Sequence, residues 1–388
     1  MNKINEEESP FLFGKIAEKN LFVNRKNDID HLWLNLNSGI NTVLLSPRRW
    51  GKSSLVEHVA WLKRENTNAR WCFIDMFAVR NEAHFYEKLS SELIKVTSNK
   101  WQNRLKNVKT FFKQIVPQIS LGLDPTSDIS LSFKWEELEK HKEEILNLPE
   151  KIAQKLNVKL IVCIDEFQNI HNFENAENFE KLLRSQWQLH RNVSYCLYGS
   201  KRNLMADIFN KKNRAFYRFG DIMMLPKITA EHWIPFIIER FSTTGKSISA
   251  ECAGEIAGLM KNHPYYVQQL SHYVWEYTKI EADNTMLISG LTRMLEVNTA
   301  LYQLEVENLS NTQVELLKAI INKEEQFTST KTMNTYRIGT SSNVLKNLKI
   351  LERNDFIEKF NKKVELLDPA FELWFKRCFM NMRIENIV

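Results

Sequence analysis

Short apolar runs alternate with amphipathic segments along the first part of the chain. Five runs have the length and the β-branched and aromatic content of buried strands: 42–45, 71–75, 160–164, 193–198 and 222–225. The segment 53–63, between the first two runs, places Leu55, Val59 and Leu62 on one face of a helix. Buried strands separated by helices predict an α/β fold, in which a parallel sheet carries helices on both faces.

The pattern divides the rest of the chain into three further regions. An insertion at about 85–157 separates the second and third predicted strands; its first half is helical and basic between Lys95 and Lys113, and 119–133 alternates like a small hairpin. From 227 to 308 the spacing is helical throughout, which predicts a helical lid. We therefore predict a core at 11–226, a lid at 227–308 and a small C-terminal domain at 309–388.

The C-terminal region has the order of a winged helix-turn-helix. Three helices are predicted at 312–321, 329–336 and 341–354, and two short strands follow at 356–359 and 363–367. In this fold the third helix usually enters the major groove of DNA and the wing follows the backbone. The lysines on these two elements are candidate DNA contacts: Lys346, Lys349, Lys362 and Lys363. A protein-docking role for the same domain stays open.

Composition narrows the class of protein without choosing a function. The net charge of +6 over 388 residues is mild, so it permits nucleic-acid binding without arguing for it. The 5 cysteines are scattered and form no CxxC pair, which argues against a zinc site or a disulfide framework. The first nine residues are polar and acidic, unlike a secretory leader, and no apolar run is long enough to span a bilayer. We expect a cytoplasmic protein without a membrane segment.

The first predicted strand runs directly into a phosphate-binding pattern. Gly51, Lys52 and Ser53 occupy the last three positions of the P-loop G-x-x-x-x-G-K-[ST], and Ser46 stands where the pattern has its first glycine. A loop of this kind holds phosphates with backbone N–H groups and a helix N-terminus. We expect Lys52 to reach the β- and γ-phosphates of ATP, and the Ser53 hydroxyl to ligate Mg²⁺.

Two acidic residues follow the third predicted strand, at the edge of the sheet where ligands of parallel α/β proteins bind. Asp165 is the expected second ligand of Mg²⁺, and Glu166 is expected to polarise the attacking water. Ser200 follows the fourth strand and is a candidate sensor of the γ-phosphate. Together with Lys52, these residues predict ATP hydrolysis.

Four segments resemble the archaeal-type ATPase family of the STAND and AAA-like P-loop proteins, which also has many bacterial members. They are Phe-Val-Asn-Arg at 22–25, Ser-Pro-Arg-Arg-Trp-Gly-Lys-Ser-Ser-Leu at 46–55, Ile-Asp-Glu-Phe-Gln at 164–168 and His-Pro-Tyr-Tyr at 263–266. The resemblance covers residues 11–388. It implies an α/β ATPase core, a helical lid and a C-terminal winged helix; family members have glycine at the position of Ser46.

The resemblance also implies which residues surround the nucleotide. Phe22 and Arg25 would lie at the base side, and Pro264 and Tyr265 of the lid would close over it. The loop itself would supply the remaining contacts, from Ser46, Pro47, Arg48, Arg49, Trp50, Gly51, Lys52, Ser53 and Ser54. An arginine completing a neighbouring subunit's site would come from Arg184, Arg214 or Arg218.

Two functions fit these observations. The first is an ATP-hydrolysing molecular switch that binds duplex DNA through its winged helix. The alternative is an ATP-regulated scaffold with little turnover, whose winged helix docks a protein partner. The sequence leaves open whether the chain forms a homo-oligomer.

Overall fold

The computed structural model describes residues 8–17, 22–23, 25–97, 135–360 and 363–386. These residues form two compact units: one holds 16–226, and the other holds 1–15 together with 227–388. Several predicted features lie outside the described residues: the basic stretch from Lys100 to Lys113, the hairpin at 119–133, and Lys362 in the wing.

The first unit is built on a parallel five-stranded sheet in the order β2-β3-β4-β1-β5. Its strands are β1 Thr42–Leu45, β2 Ala69–Asp75, β3 Lys159–Asp165, β4 Val193–Gly199 and β5 Asp221–Met224. All five match the predicted apolar runs to within two residues at each end. The strands β1, β3 and β4 are largely buried, because helices cover both faces of the sheet, whereas the edge strand β5 is buried only at Met223.

The helices of this unit divide between the two faces of the sheet. They are α1 Lys26–Asn37, α2 Lys52–Lys63, α3 Glu82–Val96, α4 Trp135–Leu146, α5 Leu148–Leu156, α6 Ala176–Trp187 and α7 Arg202–Asn210, and a 3-10 helix runs over Phe167–Asn172. Leu44 and Cys163 face a core closed by α1 and α2. Val43 and Val162 face the opposite core, which α3, α5, α6 and α7 complete. Alternate residues of one strand therefore pack on opposite sides, and the predicted fold class is confirmed.

The second unit is mostly helical. It contains α8 Ala230–Ser242, β6 Ser247–Ile248, α9 Ala250–Leu259, α10 Pro264–Tyr277, β7 Glu281–Ala282 and α11 Asn284–Glu307. The prediction of helix throughout 227–308 was wrong at β6 and β7, which pair in parallel. Two-residue strands are too short to show the alternation by which strands are recognised. Phe11 also belongs here, since its ring meets that of Phe241 edge-on at 5.6 Å.

The C-terminal part of this unit has the predicted order of three helices and a hairpin. It consists of α12 Asn311–Ile321, α13 Thr330–Thr335, α14 Ser341–Arg353, β8 Ile357–Phe360 and β9 Lys363–Leu366, followed by α15 Pro369–Phe379 and a 3-10 helix Ile384–Asn386. Side-chain caps fix where α12, α13 and α14 begin: Ser310, Ser329 and Thr340 each accept a backbone N–H of the first turn. The boundary between lid and winged helix near residue 309 stays a prediction.

Candidate nucleotide-binding site

The phosphate loop joins the carboxyl end of β1 to the N-terminus of α2. Gly51 precedes α2 with φ of +88°, a left-handed conformation that glycine adopts without strain. Arg49 is also left-handed, with φ of +62°. These turns reverse the chain over a few residues, so that the first backbone N–H groups of α2 are available to an anion.

Lys52 begins α2, and its side chain is buried. Its Nζ donates to the carbonyl oxygens of Ser46 at 3.0 Å and Pro47 at 2.9 Å, and to the Ser46 hydroxyl at 3.2 Å. Burial lowers the pKa of Lys52 to about 8, although the charges of Glu166 and Asp165 act to raise it. The ammonium is therefore held by neutral oxygens of its own loop, in surroundings that favour a nearby anion.

Ser53 and Asp165 meet across the sheet, as the Mg²⁺ prediction requires. The Ser53 hydroxyl donates to Asp165 Oδ2 at 2.6 Å. Burial raises the pKa of Asp165 to about 6, while hydrogen bonds from Ser53 and from the Glu166 N–H oppose the rise. A hydroxyl and a carboxylate oxygen side by side are hard donors that fit Mg²⁺, which commonly takes few protein ligands and completes its shell with water and phosphate. Within the described residues no cluster of three or more His, Cys, Asp or Glu side chains could hold a metal ion.

Glu166 follows β3 in a left-handed conformation, with φ of +51°. Its Oε2 accepts hydrogen bonds from the Ser200 hydroxyl at 2.9 Å and from the Ser200 N–H at 3.4 Å. The same oxygen accepts a hydrogen bond from Gln168 Nε2. The structure thus brings Glu166 and Ser200 into direct contact. It adds Gln168, which the sequence places in a recognisable motif but does not mark as a site residue.

Arg25 is buried against the phosphate loop. Its guanidinium donates to the Trp50 carbonyl at 3.1 Å and to the Pro226 carbonyl at 2.9 Å, and it pairs with Asp28 at 3.1 Å. Burial lowers the pKa of Arg25, and the Asp28 contact opposes that shift. Arg25 therefore links the phosphate loop, through Trp50, to Asp28 of α1 and to Pro226. A role for Arg25 toward the nucleotide base stays a prediction.

Phe22 packs against α2. Its ring stacks on that of His58, a residue of α2, with 4.2 Å between the ring centroids. The Ser54 hydroxyl accepts the Ala17 N–H at 3.0 Å, which fastens the segment preceding α1 to α2. In the loop, Ser46, Pro47 and Trp50 are buried, whereas Arg48 and Arg49 are exposed. The contacts of these loop residues with a phosphate stay a prediction.

The lid residues predicted at the nucleotide belong to the other unit. Pro264 is the first residue of α10, a position that suits its missing N–H. The ring of Tyr265 meets that of Phe13 edge-on at 5.9 Å. Their contact with a nucleotide stays a prediction.

The three arginines considered for a neighbouring site have different surroundings. Arg214 forms an ion pair with Glu180, whose side chain is buried. The Arg184 guanidinium lies 5.0 Å from the centre of the Phe219 ring. Arg218 is exposed and left-handed, with φ of +55°. Arg214 is thus engaged within its own chain, and an arginine finger stays a prediction.

The predicted DNA surface lies on the winged helix. On α14, the buried positions are Val344, Asn347, Leu348 and Leu351. Lys346 and Lys349 are exposed on the other face, and Lys363 is exposed at the start of β9.

In the part of the chain that the structure describes, no helix is long and apolar enough to cross a membrane.

Comparisons with known proteins agree with this architecture. The model of a family described as a probable winged helix domain matches residues 300–377. A Walker-type ATPase of Pyrococcus abyssi superposes with a TM-score of 0.67 at 17% identity, covering 95% of this chain and 99% of its own. The ORC2 protein of Aeropyrum pernix, in ADPNP and ADP complexes, gives 0.56 at 13% identity, covering 97% and 98%. Its ADP form gives 0.51 at 14% identity, covering 93% and 91%. No curated protein sequence matches the chain. The chain therefore has the fold of Walker-type P-loop ATPases that end in a winged helix.

Proposed function

We propose that this protein binds ATP with Mg²⁺ and hydrolyses it, acting as a switch of the AAA or STAND type. One observation carries the proposal: Lys52, Ser53, Asp165, Glu166 and Ser200 converge at the carboxyl end of one parallel sheet, four of them joined by direct hydrogen bonds to a neighbour in the set. These are the residue types that phosphoryl transfer to water requires. Their neighbours in sequence supply the helix N-terminus that holds phosphate.

The chain's own residues would divide the work as follows. Lys52 would exchange the carbonyls of Ser46 and Pro47 for the β- and γ-phosphate oxygens, which are stronger acceptors because they are charged. Ser53 and Asp165 would hold Mg²⁺, which when bound neutralises charge on the phosphates. Glu166 would orient the attacking water, and Ser200 would connect the position of that carboxylate to the γ-phosphate.

The test of hydrolysis is release of phosphate from ATP by the full-length protein, with and without Mg²⁺ and duplex DNA. We expect Mg²⁺-dependent turnover, stimulated or inhibited by duplex. Tight ATP binding without turnover would favour the alternative, an ATP-regulated scaffold. Absence of ATP binding would contradict the proposal as a whole.

We further propose that the winged helix binds duplex DNA. Lys346 and Lys349 lie three residues apart on the exposed face of α14, beside the exposed Leu345. Lys363 adds a charge at the wing, and a helix of this kind reads the major groove while lysines contact phosphates. Lys359 contributes less, since it pairs with Glu352 at 3.3 Å.

Salt dependence tests the DNA proposal. With about four phosphate contacts, from Lys346, Lys349, Lys362 and Lys363, log affinity should fall against log salt with a slope of about −3 to −4. Replacing Lys346 and Lys349 by glutamate should weaken binding to all sequences alike and flatten the slope by about two. The matched control replaces the exposed Lys211 and Lys212 of the ATPase unit in the same way.

A second arm reverses Lys106 and Lys109 of the basic insertion. If that variant alone loses DNA affinity, the insertion and not the winged helix is the DNA contact. If the wild-type protein does not bind duplex at low salt with ATP present, the winged helix is better explained as a docking site for a protein partner.

A further inference from the structure

Gln168 is buried beside the carboxylate that would activate water. It lies two residues after Glu166, in the first turn of the 3-10 helix, and its side chain is only 1% exposed. Its Nε2 donates to Glu166 Oε2. The opposite orientation of the amide would set its oxygen against a carboxylate oxygen, so the contact with Glu166 fixes which way the amide points.

Gly199 provides the space that this amide occupies. A Cβ added at position 199 would lie 1.8 Å from Gln168 Oε1 and 2.9 Å from its Cδ. Carbon and oxygen atoms do not approach so closely without bonding, so any larger residue would displace the amide. The backbone at Gly199 is an ordinary strand end that other residues could adopt, which means that the glycine is explained by Gln168 and not by its own φ.

Ser200, the residue after Gly199, donates to the same carboxylate oxygen. Its hydroxyl lies 2.9 Å from Glu166 Oε2. Side-chain donors from two separate elements, the 3-10 helix and the end of β4, therefore hold one oxygen of Glu166. Among the residues that the structure describes, no hydrogen bond reaches the other oxygen, Oε1, so Oε1 is the one that can accept a proton from water.

We infer that Gln168 is a positioning residue for ATP hydrolysis: lodged against Gly199, it fixes the Glu166 carboxylate so that Oε1 addresses the attacking water. The inference rests on the proposed function, because it concerns the same carboxylate. The amide of Gln168 donates to Glu166, so Gln168 would act on the reaction through that carboxylate. Its loss should therefore change the rate of the chemical step and not the binding of ATP.

The first experiment compares the steady-state kinetics of Gln168→Met with those of the wild type. Methionine has a similar length but no N–H donor. Because a small misplacement of a catalytic group costs up to about 100-fold in rate, we expect kcat to fall about 10- to 100-fold while KM for ATP changes less than about twofold. Gln188→Met, at the exposed glutamine that directly follows α6, is the matched control and should keep wild-type kinetics. A wild-type kcat in Gln168→Met would overturn the inference.

Double variants separate positioning from general damage to the fold. Gly199→Ala should lower kcat like Gln168→Met, because the added methyl group pushes the amide away. In a Gln168→Ala background the same glycine change should add little, since the clash is gone. In a Glu166→Gln background, Gln168→Met should have no further effect on kcat. Full additivity in either pair would mean that Gln168 acts only by packing.

A crystal structure of Gln168→Met gives a readout that needs no turnover. We expect the Glu166 carboxylate to rotate and its 2.9 Å contact with Ser200 to be lost or lengthened. An unmoved carboxylate would overturn the inference whatever the kinetics show. If the wild-type protein binds ATP without hydrolysing it, the hydrolytic function fails, and this crystallographic comparison alone decides whether Gln168 positions Glu166.

Discussion

The two ends of the parallel sheet each carry a buried polar cluster. The clusters differ in whether the folded chain stabilises the charged forms of their side chains. At the amino end, Glu150 of α5 accepts the N–H groups of Arg191 at 3.0 Å and Asn192 at 2.9 Å. Its other oxygen accepts the side chains of Asn192 and Gln154. Burial alone would raise the pKa of Glu150, but these four hydrogen bonds lower it. The folded chain therefore stabilises this charge.

At the carboxyl end of the sheet, burial has the largest influence on the pKa values of the charged side chains. It raises the pKa of Asp165 to about 6 and lowers that of Lys52 to about 8. Both charged forms are less favourable there than in water, so the fold keeps them at a cost. A buried polar cluster is thus not by itself a functional site. The cluster whose charges are poorly compensated by the chain is the one that is suited to a charged ligand.

The largest expected effect follows from replacing Lys52 by alanine. We expect ATP affinity to fall by at least about 100-fold, because the phosphate charge loses its main cationic partner. The melting temperature should change little, because the removal of a buried and poorly compensated ammonium offsets the loss of its hydrogen bonds to the Ser46 and Pro47 carbonyls. Isothermal titration with ATP and thermal denaturation measure the two effects, and Lys212→Ala, at an exposed lysine, is the control.

Unchanged ATP affinity in a folded Lys52→Ala protein would contradict the P-loop assignment. A large loss of stability would contradict the comparison instead, because it would mean that the lysine supports the fold as Glu150 does.

The next effect concerns Glu166→Gln. This change keeps the size of the side chain and leaves Asp165 and Ser53 intact, so ATP and Mg²⁺ should still bind. Removal of a general base typically costs about 10²- to 10⁴-fold in rate, and we expect kcat to fall within that range. Single-turnover measurements with radiolabelled ATP separate the chemical step from product release. A wild-type rate would show that Glu166 is not catalytic.

The sequence predicts the two polar clusters to different extents, because their contacts come from different parts of the chain. At the carboxyl end, Lys52 and Ser53 belong to one local pattern, and Asp165 and Glu166 follow an apolar run. Because parallel strands all end at the same edge, their meeting is predictable without a structure. Gln168 was missed because its direction depends on the 3-10 turn and on the space at Gly199, which is more than 30 residues away along the chain.

The amino-end cluster has no such signal. Glu150 meets Asn192 across 42 positions of sequence, and an isolated glutamate in a helix is ordinarily an exposed one.

The family resemblance predicts only part of what Arg25 does. It draws attention to the residue, but the buried contacts with Trp50 and Pro226 are tertiary and appear only in the structure.

A third effect sharpens the contrast at the amino end. Glu150→Ala removes the acceptor of the backbone N–H groups of Arg191 and Asn192, two exposed residues at which water can partly replace it. A typical net hydrogen bond contributes about 0.5–1.5 kcal/mol, so we expect the free energy of unfolding to fall by about 1–3 kcal/mol. ATP affinity should change less than about twofold. Urea denaturation and ATP titration measure these values; Glu174→Ala, at an exposed glutamate, is the control. Loss of ATP binding with unchanged stability would reverse the assignment of the two ends.

The smallest effect is a pH dependence at the amino end. His190 is buried, its Nδ1 lies 2.9 Å from the Tyr195 hydroxyl, and burial lowers its pKa to about 4, although the charge of Glu150 opposes the shift. Between about pH 4 and about pH 6.5 the unfolded chain therefore binds more protons at this residue than the folded chain does, and stability rises with pH across that window. The contribution is complete above about pH 6.5 and is lost progressively on acidification. From these pKa values, His190 should account for about 2 kcal/mol of stability lost between about pH 7 and about pH 5.

The variant His190→Asn removes the titrating ring. Its free energy of unfolding, measured in urea at both pH values, should therefore depend less on pH by that amount. His232→Asn, at an exposed histidine of the other unit, is the matched control. Parallel pH curves for His190→Asn and the wild type would mean that folding does not lower the pKa of His190, which would contradict the burial of a neutral imidazole at the amino end.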